Sequence, residues 1–435
     1  MSSTLHLLKV RRFAPLFVTQ FFGAFNDNVF KNALVVLLTF KAANWSDLAP
    51  AVLANLAAGL FILPFFLFSA SAGQWADKTD KARMARLTKL LEVLIVLVAG
   101  LGFWLQNLPL LFIALFLLGA QSALFGPVKY AVLPQHLRAD ELLGGNALIE
   151  AATFVSILLG TILGGVLAAL DQGTLWITAT SLLVAVVGLV ASLAIPPAPP
   201  PAPELVINRN PLAETWRTVA ALPAQAAVFT AVLGISWFWL YGALLLAQFP
   251  AFGRYVLGGD EGVVTLMLAV FTVGIGVGSM ACAQLSRGRL SLRWVGPGAL
   301  GITVATLDLA WAAAHFPLGE TLRPVVAWLG SGASWRILAD LLVIGSAGGL
   351  FIVPLYTQLQ LRAEEKSRAR AIAANNIVNA LFMVVGALVA GALLGGGLSI
   401  PALFAGAALL NLAALLLLYR RDPAFVAAWR NARDR

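Results

Sequence analysis

Long apolar runs dominate this chain and restrict the folds open to it. Twelve runs have lengths near the roughly 20 residues that a helix needs to cross a bilayer. Of all residues 60% are hydrophobic and 11% are charged, whereas soluble domains carry roughly 25% charged residues. Because lipid offers the backbone no hydrogen-bond partners, only helices and closed barrels span membranes. The runs are continuous and not alternating, so we predict an all-α membrane protein.

The runs form two sets of six, separated by a proline-rich break. We expect the proline run to be extended and solvated, with a short interfacial helix as one option at 211–222. We therefore predict two pseudo-symmetric six-helix halves, 1–195 and 224–435, joined by a cytoplasmic linker at 196–223. The runs lie at 15–40, 49–72, 86–106, 109–129, 142–170, 174–195, 224–251, 262–285, 294–316, 336–358, 372–397 and 400–420.

Lysine and arginine concentrate in alternate loops between the runs. Of the 29 basic residues, all but five lie in the loops and tails on the side of the N-terminus. Because cytoplasmic loops are enriched in Lys and Arg, we predict that both termini are cytoplasmic. The same bias explains the net charge of +9, so we expect no nucleic-acid partner. The five exceptions are Lys31, Lys41, Arg254, Arg323 and Arg336.

A pattern of polar residues follows the fourth run of each half. Segments 135–150 and 360–379 each contain a glutamine, a Leu-Arg-Ala triplet, two acids and then two polar residues four positions apart. This repetition predicts an internal duplication, although cytoplasmic loops can share such a composition by chance. We expect the paired polar residues to line a cytoplasmic cavity, with a contact to a basic loop as the alternative for Glu150. They are Asn146 and Glu150, and Asn375 and Asn379.

The first run carries an unusual set of polar residues. At about 100° per residue, five of them fall within a sector roughly 140° wide. An ionised side chain near mid-bilayer costs about 2.5–3.5 kcal/mol on insertion scales, so this face needs a cavity or partners. Asp27 and Lys31 are spaced i,i+4 and could form a structural ion pair with each other. We favour instead a surface that binds a zwitterionic or anionic head group. The five are Gln20, Asp27, Asn28, Lys31 and Asn32, while Asn26 lies apart.

The loop after the second run resembles the loop signature of the major facilitator superfamily. Gly73 permits a tight helix exit, and Asp77 is placed to accept hydrogen bonds from the N-terminus of a neighbouring helix. The glycine usual after the first basic residue is replaced by Asp80, and the corresponding loop of the second half lacks the acid. We expect this loop to lock one conformation through Gly73, Asp77, Lys78, Lys81 and Arg83.

Three segments are similar to the lysophospholipid transporter family of that superfamily. They are Phe25–Leu34, with the sequence FNDNVFKNAL, then Gly126–Pro134 and Leu142–Glu150. The resemblance covers most of the first half and only a loop of the second. It implies the major facilitator fold and the movement of lysophospholipids, notably lysophosphatidylethanolamine, to the inner leaflet of the bacterial inner membrane. There an acyltransferase with acyl-carrier-protein synthetase activity rebuilds the diacyl lipid.

Several further residues invite a functional or a structural interpretation. Lys129, with Tyr130 beside it, meets either a lipid phosphate or the membrane interface by snorkelling. Arg336 and Asp340 have the spacing of a structural pair, while Asp308 has no obvious partner. Glycines on the fifth and eighth runs permit close helix approach, which suggests a lateral gate between the halves or ordinary packing. These glycines are Gly160, Gly164, Gly274 and Gly278.

Enzymatic function is the class that the sequence argues against. None of the three histidines has the aspartate spacing of glycerolipid acyltransferases, and no metal cluster or phosphate-binding glycine loop is found. We expect neither a catalytic residue nor a cofactor nor a metal. The main alternative to lipid flipping is a proton-coupled exporter of drugs or other amphiphiles, with Asp27 as the proton carrier. Both functions require an acid within the membrane, so the sequence leaves the two open.

Overall fold

Twelve long helices account for the twelve apolar runs. The computed structural model describes residues 2–40, 46, 48–319 and 321–433, so Lys41 and Arg435 of the charge distribution lie outside the described residues. The helices are α1 (Ala14–Phe40), α2 (Pro50–Lys78), α3 (Lys81–Trp104), α4 (Leu108–His136), α5 (Ala139–Ala169), α6 (Gly173–Leu193), α7 (Ala226–Ala251), α8 (Glu261–Leu285), α9 (Val295–Ala314), α10 (Gly332–Arg362), α11 (Arg368–Gly395) and α12 (Ile400–Arg421).

Eleven of these helices are long and apolar enough to cross a membrane, counted over the described ranges. The remaining one, α1, has 27 residues and carries Asp27 and Lys31 within an otherwise apolar sequence. It has the length to span, and its lower hydropathy comes from the same polar residues that mark it as functional. The predicted all-α fold is confirmed.

Several helices extend well beyond the apolar runs that predicted them. The apolar run 109–129 becomes a helix that ends at His136, and 49–72 becomes one that ends at Lys78. Outside lipid a helix continues as long as its backbone remains hydrogen bonded, whereas hydropathy marks only the immersed part. Polar caps define several starts: the side chain of Asn107 accepts from Leu110 N at 2.9 Å, and that of Asp80 from Arg83 N at 2.9 Å.

The chain divides into two compact units by its internal contacts. Unit 1 contains Met1–Ala139, Val155–Leu222 and Ala363–Ile377, and unit 2 contains Asp140–Phe154, Pro223–Arg362 and Val378–Arg435. The first part of α5 therefore belongs to unit 2, and the first part of α11 belongs to unit 1. The halves 1–195 and 224–435 remain a prediction about the repeat in the sequence.

Helix α1 forms the centre of the apolar core of unit 1. Its buried residues Val29, Leu34 and Leu37 pack with buried side chains of α2, α3, α4, α5 and α6 in one continuous cluster. Burying apolar surface within a bundle does not by itself drive helix association in lipid, so close packing has to supply the specificity. The polar side chains of α1 lie on the same helix, next to this cluster.

The linker is extended and most of its residues are at least partly exposed, but one buried residue fastens it to the helices of unit 1. Ala198 is fully buried, and its carbonyl accepts from Lys81 N at 3.0 Å while its N–H donates to Asp80 Oδ2 at 2.9 Å. Proline removes backbone donors from this extended segment, and other linker backbone groups find partners on α2 and α4: Ala202 N donates to the Asp77 carbonyl at 3.0 Å, and Gln135 Nε2 donates to the Pro199 carbonyl at 3.1 Å. A short helix, Pro211–Ala220, follows the extended segment. It is held against α2 by a hydrogen bond from Thr215 Oγ1 to the Phe66 carbonyl at 2.9 Å.

The glycines predicted to form a lateral gate pack helices within each unit. On α5, β-carbons at Gly160 and Gly164 would lie 2.6 Å from Phe25 O and 2.5 Å from Val29 O of α1. On α8, Gly274 and Gly278 face the backbone of α10. The four glycines therefore pack the α1–α5 and α8–α10 crossings, and their role as a lateral gate remains a prediction.

A different glycine of α8 faces α5 within unit 2. A β-carbon at Gly276 would lie 4.0 Å from the β-carbon of Ala151, an ordinary van der Waals distance. The spacing of glycines in the sequence did not identify this contact between α5 and α8. Each helix has several faces of small residues, and the neighbouring helices determine which face is packed.

The α1–α5 crossing yields a stability prediction with a matched control one residue away. Gly164→Ala forces a methyl group against the Val29 carbonyl, and overpacking of this kind costs about 1–3 kcal/mol. At Gly165 nothing lies within 4 Å of the added carbon. We expect Gly164→Ala to lower the thermal unfolding temperature in detergent and Gly165→Ala to leave it unchanged. Equal effects would contradict this assignment of the crossing.

Candidate substrate site

The polar face of α1 is held by neutral partners within unit 1. Asn32 Nδ2 donates to Thr161 Oγ1 of α5 at 3.0 Å, and Asn28 Nδ2 donates to the Ala24 carbonyl at 2.8 Å. Lys31 Nζ donates to Asn28 Oδ1 at 3.2 Å and lies 5.3 Å from the centre of the Phe61 ring of α2. Gln20, which lies about two turns before Asn28 in α1, is buried. The asparagines therefore orient Lys31 without neutralising it.

Asp27 points towards α4 and not towards Lys31. Ser122 Oγ donates to Asp27 Oδ2 at 2.5 Å, while Oδ1 is enclosed and accepts no hydrogen bond from the described residues. The structural ion pair that the i,i+4 spacing allowed is absent from the described contacts, because the two side chains turn to different neighbouring helices. A buried carboxylate oxygen without a partner is costly, so Asp27 is a candidate for a ligand contact.

A second polar cluster lies beside the first, and sequence reasoning missed it. Glu92 of α3 accepts from Asn26 Nδ2 at 2.8 Å, from Lys89 Nζ at 2.6 Å and from Gln121 Nε2 at 3.2 Å. Lys89 and Glu92 are each only 1% exposed. The signal in the sequence was an acid and a base three residues apart near an apolar run, a pattern similar to the one noticed in α1.

The two clusters differ in how their charges are satisfied. Lys89 and Glu92 form a closed pair in which every acidic oxygen has a partner, whereas Asp27 and Lys31 make contacts only with neutral groups. Gln121 of the second cluster and Ser122 of the first are adjacent residues of α4, so this helix joins the two clusters. The closed pair is suited to packing helices. The open pair presents a negative and a positive group to a ligand.

Lys129 and Tyr130 lie further along α4 in the same unit. The ammonium of Lys129 is 4.7 Å from the centre of the Tyr130 ring, and Tyr130 is buried. Seven residues separate Lys129 from Ser122, which is two helical turns or about 10.5 Å along the axis. Lys129 therefore lies on a helix that contributes to the Asp27 site, but at a different depth.

The residues predicted on the fifth and eleventh helices fall into both units. Asn146 Nδ2 donates to Gln360 Oε1 at 2.7 Å, and Gln360 Nε2 donates back to Asn146 Oδ1 at 3.0 Å. Both amides are fully buried. Asn146 therefore joins α5 to α10 within unit 2, and its place on a binding surface remains a prediction. Glu150, one turn later, is also buried.

The two asparagines of α11 have different surroundings. Asn379 belongs to unit 2 and its Oδ1 accepts from Ser236 Oγ of α7 at 2.7 Å. Asn375 belongs to unit 1, is fully buried, and neither atom of its amide is hydrogen bonded within the described chain. Since buried amides normally have partners, Asn375 is the better candidate of the two for a ligand contact.

Asp77 of α2 caps the N-terminus of α11 within unit 1. Its Oδ1 accepts from Ala369 N at 3.0 Å, and its Oδ2 accepts from Arg370 N at 3.3 Å and Arg370 Nε at 3.0 Å. A β-carbon at Gly73 would lie 2.8 Å from the α-carbon of Arg370, so only glycine permits this approach. A carboxylate at a helix N-terminus is favoured by the dipole. The role of this contact as a conformational lock remains a prediction.

The basic residues of the same loop take other roles. Lys78 Nζ donates to the Leu205 carbonyl at 2.8 Å and so fastens the linker to α2. Lys81 is buried at the start of α3, while the Arg83 side chain is exposed. Among the contacts of the described residues, Gly73 and Asp77 are therefore the two predicted lock residues that reach α11.

Asp77→Asn tests the cap directly. The variant loses the charge and one of the two acceptor oxygens, and hydrogen bonds to charged groups contribute about 1.5–3 kcal/mol. We expect amide exchange at Ala369 and Arg370 to accelerate about tenfold or more, measured by hydrogen–deuterium exchange mass spectrometry. Asp80→Asn is the control, since Asp80 caps α3 instead. Unchanged exchange in Asp77→Asn would contradict the cap.

Aromatic side chains cluster in unit 2 near α7. Phe154 of α5 stacks on Trp239 with ring centres 5.7 Å apart, and lies edge-on to Phe238 at 6.0 Å and Phe271 at 6.3 Å. Trp239 Nε1 donates to Tyr356 Oη at 2.9 Å. The sequence showed tryptophans in the seventh run, but only the fold brings Phe154 and Phe271 to them. The cluster is an apolar surface suited to hydrocarbon.

Asp308 has a partner that its position in the sequence did not reveal. Arg336 of α10 donates to both of its carboxylate oxygens, through Nε at 2.9 Å and Nη2 at 2.5 Å. The predicted pairing of Arg336 with Asp340 is therefore wrong. Helix α9 packs against α10 and presents Asp308 in the geometry of a bidentate guanidinium contact, which is stronger than a single contact along one helix.

Comparison with known proteins identifies the family. The Major Facilitator Superfamily model matches residues 16–387. The lysophospholipid transporter LplT of Salmonella enteritidis is 30% identical over 373 residues, covering 83% of this chain and 82% of the relative. The protein of the same name from Serratia proteamaculans is 28% identical, covering 84% of each.

A solved structure supports the fold. The crystal structure of the human organic anion transporter MFSD10 (TETRAN) is similar with a TM-score of 0.73 at 15% identity, over 94% of this chain and 99% of that one. At this identity the likeness concerns the fold alone. The family match extends through α1, with its open pair of charges, and through the loop that holds Asp77. This multi-pass membrane protein belongs to the lysophospholipid transporter family of the major facilitator superfamily.

Proposed function

We propose that this protein moves lysophospholipids, such as lysophosphatidylethanolamine, across the bacterial inner membrane to the cytoplasmic leaflet. There an acyltransferase with acyl-carrier-protein synthetase activity reacylates the delivered lipid. Both termini face the cytoplasm in this proposal, in agreement with the distribution of Lys and Arg. Support comes from the family and from relatives that are named lysophospholipid transporters.

The open pair on α1 is the observation that carries the proposal. Asp27 and Lys31 lie one turn apart, and each is held by a neutral side chain instead of by the other. The ethanolamine head group of a lysophospholipid has an ammonium and a phosphate a few atoms apart. The ammonium complements the enclosed Asp27 Oδ1 and the phosphate complements Lys31 Nζ. Charge-assisted hydrogen bonds of this type are about twice as strong as neutral ones.

The single acyl chain needs an apolar surface as well. Within unit 2, the cluster of Phe154, Trp239 and their neighbours is an apolar surface of this kind, next to a cavity of about 10 Å³ lined mainly by apolar side chains. The cavity is lined by Trp237, Phe238, Tyr241, Phe271, Ile275 and Phe351. Rigid aromatic rings contact hydrocarbon over a large area at low entropic cost, so this surface favours an amphiphile over a wholly polar solute.

The test is a flipping assay with purified protein in liposomes. Labelled lysophosphatidylethanolamine is placed in the outer leaflet and its transfer is followed by back-extraction with albumin. We expect transfer well above that of empty vesicles, and competition by unlabelled lysophosphatidylethanolamine but not by a fatty acid lacking a head group. Transfer equal to that of empty vesicles would refute the proposal.

A proton-coupled exporter of amphiphiles is the second candidate, favoured by one observation. The enclosed Asp27 Oδ1 without a partner is also the site that a proton would occupy. The same liposomes distinguish the two functions when a cationic dye and a proton gradient are supplied. Dye movement that requires the gradient, without lipid flipping, would establish the exporter. Lipid flipping without a gradient would exclude it.

A further inference from the structure

An arginine-rich cavity lies at one end of unit 2. Its volume is about 840 Å³. One wall is the α8–α9 loop with Arg287, Arg289 and Arg293, and Arg362 at the end of α10 adds a fourth guanidinium. The opposite wall is the helix Pro423–Arg433, whose described lining residues are Ala424, Ala427 and Ala428. We call this cavity the basic pocket, and we propose that it binds the phosphate groups of an anionic phospholipid.

The positive charge of the basic pocket is not neutralised by the protein. No acidic side chain is among the lining residues, and in the described part of the chain none of the four arginines takes part in an ion pair. The nearby acid Asp422 is engaged elsewhere, because it accepts from Gln358 Nε2 and Ala424 N, both at 2.9 Å. Four uncompensated guanidinium groups around one cavity require anions.

The wall that carries three of the arginines is built rigidly. Arg287 and Gly288 both have positive φ, at 50° and 74°, and turn the chain sharply after α8. A side chain at Gly288 would collide with the Asp140 carbonyl, so the turn is packed against α5. Arg293 Nη2 donates to the Leu285 carbonyl at 2.9 Å and its guanidinium lies 4.7 Å from the Trp294 ring. A non-glycine residue with positive φ persists only where its surroundings hold it.

Arginine chemistry and the position of the pocket point to a phospholipid. The guanidinium fork matches phosphate oxygens in a bidentate manner. Helices α8 and α10 end at the pocket and α9 begins there, so it lies where membrane-crossing helices leave the bilayer. Basic pockets at such positions bind anionic head groups. The alanines leave room for the glycerol part, and the exposed Leu285 extends the apolar surface. An acidic protein segment would not need that apolar wall.

The bound lipid would join three separate parts of unit 2. It would connect the α8–α9 loop, the end of α10 and the helix Pro423–Arg433 through its phosphates. The helix Pro423–Arg433 already packs against the turn Leu292–Trp294 of the α8–α9 loop. An anionic lipid therefore stabilises this end of the unit. The site is separate from the substrate site, and the inference does not depend on the proposed function.

The experiment measures thermal unfolding of the full-length protein in micelles that contain cardiolipin or, separately, phosphatidylcholine. We expect cardiolipin to raise the unfolding temperature and phosphatidylcholine not to. In the variant Arg287→Gln/Arg289→Gln/Arg293→Gln we expect the concentration of cardiolipin required for half the effect to rise about 100-fold, since each basic residue contributes about a factor of five. The control Lys9→Gln/Arg11→Gln/Arg209→Gln removes the same charge from exposed positions and should behave as wild type.

Additional measurements distinguish the possible anions and provide a second variant in case the triple variant does not fold. Ala427→Phe fills the pocket without changing charge, and should weaken the cardiolipin effect if the triple variant does not fold. Stabilisation by inorganic phosphate or by polyglutamate at equal charge, without an effect of cardiolipin, would overturn the proposal in favour of a soluble or protein anion. The proposal also fails if pocket and control variants respond equally to cardiolipin.

Discussion

Asp27→Asn is expected to lower lysophospholipid flipping about 10- to 100-fold while the protein remains folded. The enclosed Oδ1 of Asp27 is the acceptor that the ligand ammonium needs, and its other oxygen is already bound by Ser122. A hydrogen bond to a charged group contributes about 1.5–3 kcal/mol, and 1.4 kcal/mol corresponds to a factor of ten in rate. Initial rates in proteoliposomes, normalised to inserted protein, measure the effect.

The thermal unfolding temperature of Asp27→Asn should match that of wild type, because asparagine still accepts from Ser122 and the uncompensated charge is gone. Asp171→Asn is the matched control, since it neutralises an exposed acid in the loop between α5 and α6. Its flipping rate should not change. If Asp27→Asn lost folding together with transport, Asp27 would be a structural residue and the open pair would lose its functional meaning.

Glu92→Gln should produce the opposite combination, with a large loss of stability. Glu92 accepts three hydrogen bonds in a site where Lys89 is 1% exposed, and the substitution leaves that ammonium without a counter-charge. Removing one partner of a buried ion pair costs about 3–5 kcal/mol. The thermal unfolding temperature in detergent, and the yield of folded protein, should both fall clearly.

The double variant Lys89→Met/Glu92→Gln provides the control for this interpretation. Replacing both members of a buried pair is often neutral or stabilising, so we expect the double variant to recover at least half of the lost stability. Flipping per folded molecule should be less affected than in Asp27→Asn. A stable Glu92→Gln variant that no longer flips lipid would instead place Glu92 in the substrate site.

The two substitutions test the same distinction from opposite sides. Both remove one negative charge from neighbouring helices of unit 1, and they differ in whether that charge is already paired. A result in which Asp27→Asn affects transport and Glu92→Gln affects stability shows that partner geometry, and not the presence of a charge within the membrane, separates binding residues from packing residues.

Some features of the site were predictable from the sequence, and others were not. The polar face of α1 was evident because any ionised residue in an apolar run stands out. Its neighbours were not evident, since Ser122 and Thr161 are common side chains in their own runs. The cluster around Glu92 was missed for a related reason: Asn26 lies outside the sector that holds Asp27 and seemed unconnected to it.

The sequence by itself determined that the chain is a bundle of membrane-crossing helices, because a backbone in lipid must satisfy its hydrogen bonds within each helix. This requirement is local, so the composition and length of each run suffice. Only the tertiary structure decided the side-chain partners. Arg336 donates its hydrogen bonds to Asp308 and not to Asp340, and Gly164 packs on α1. Each helix presents several faces, and its contacts depend on which face another helix covers.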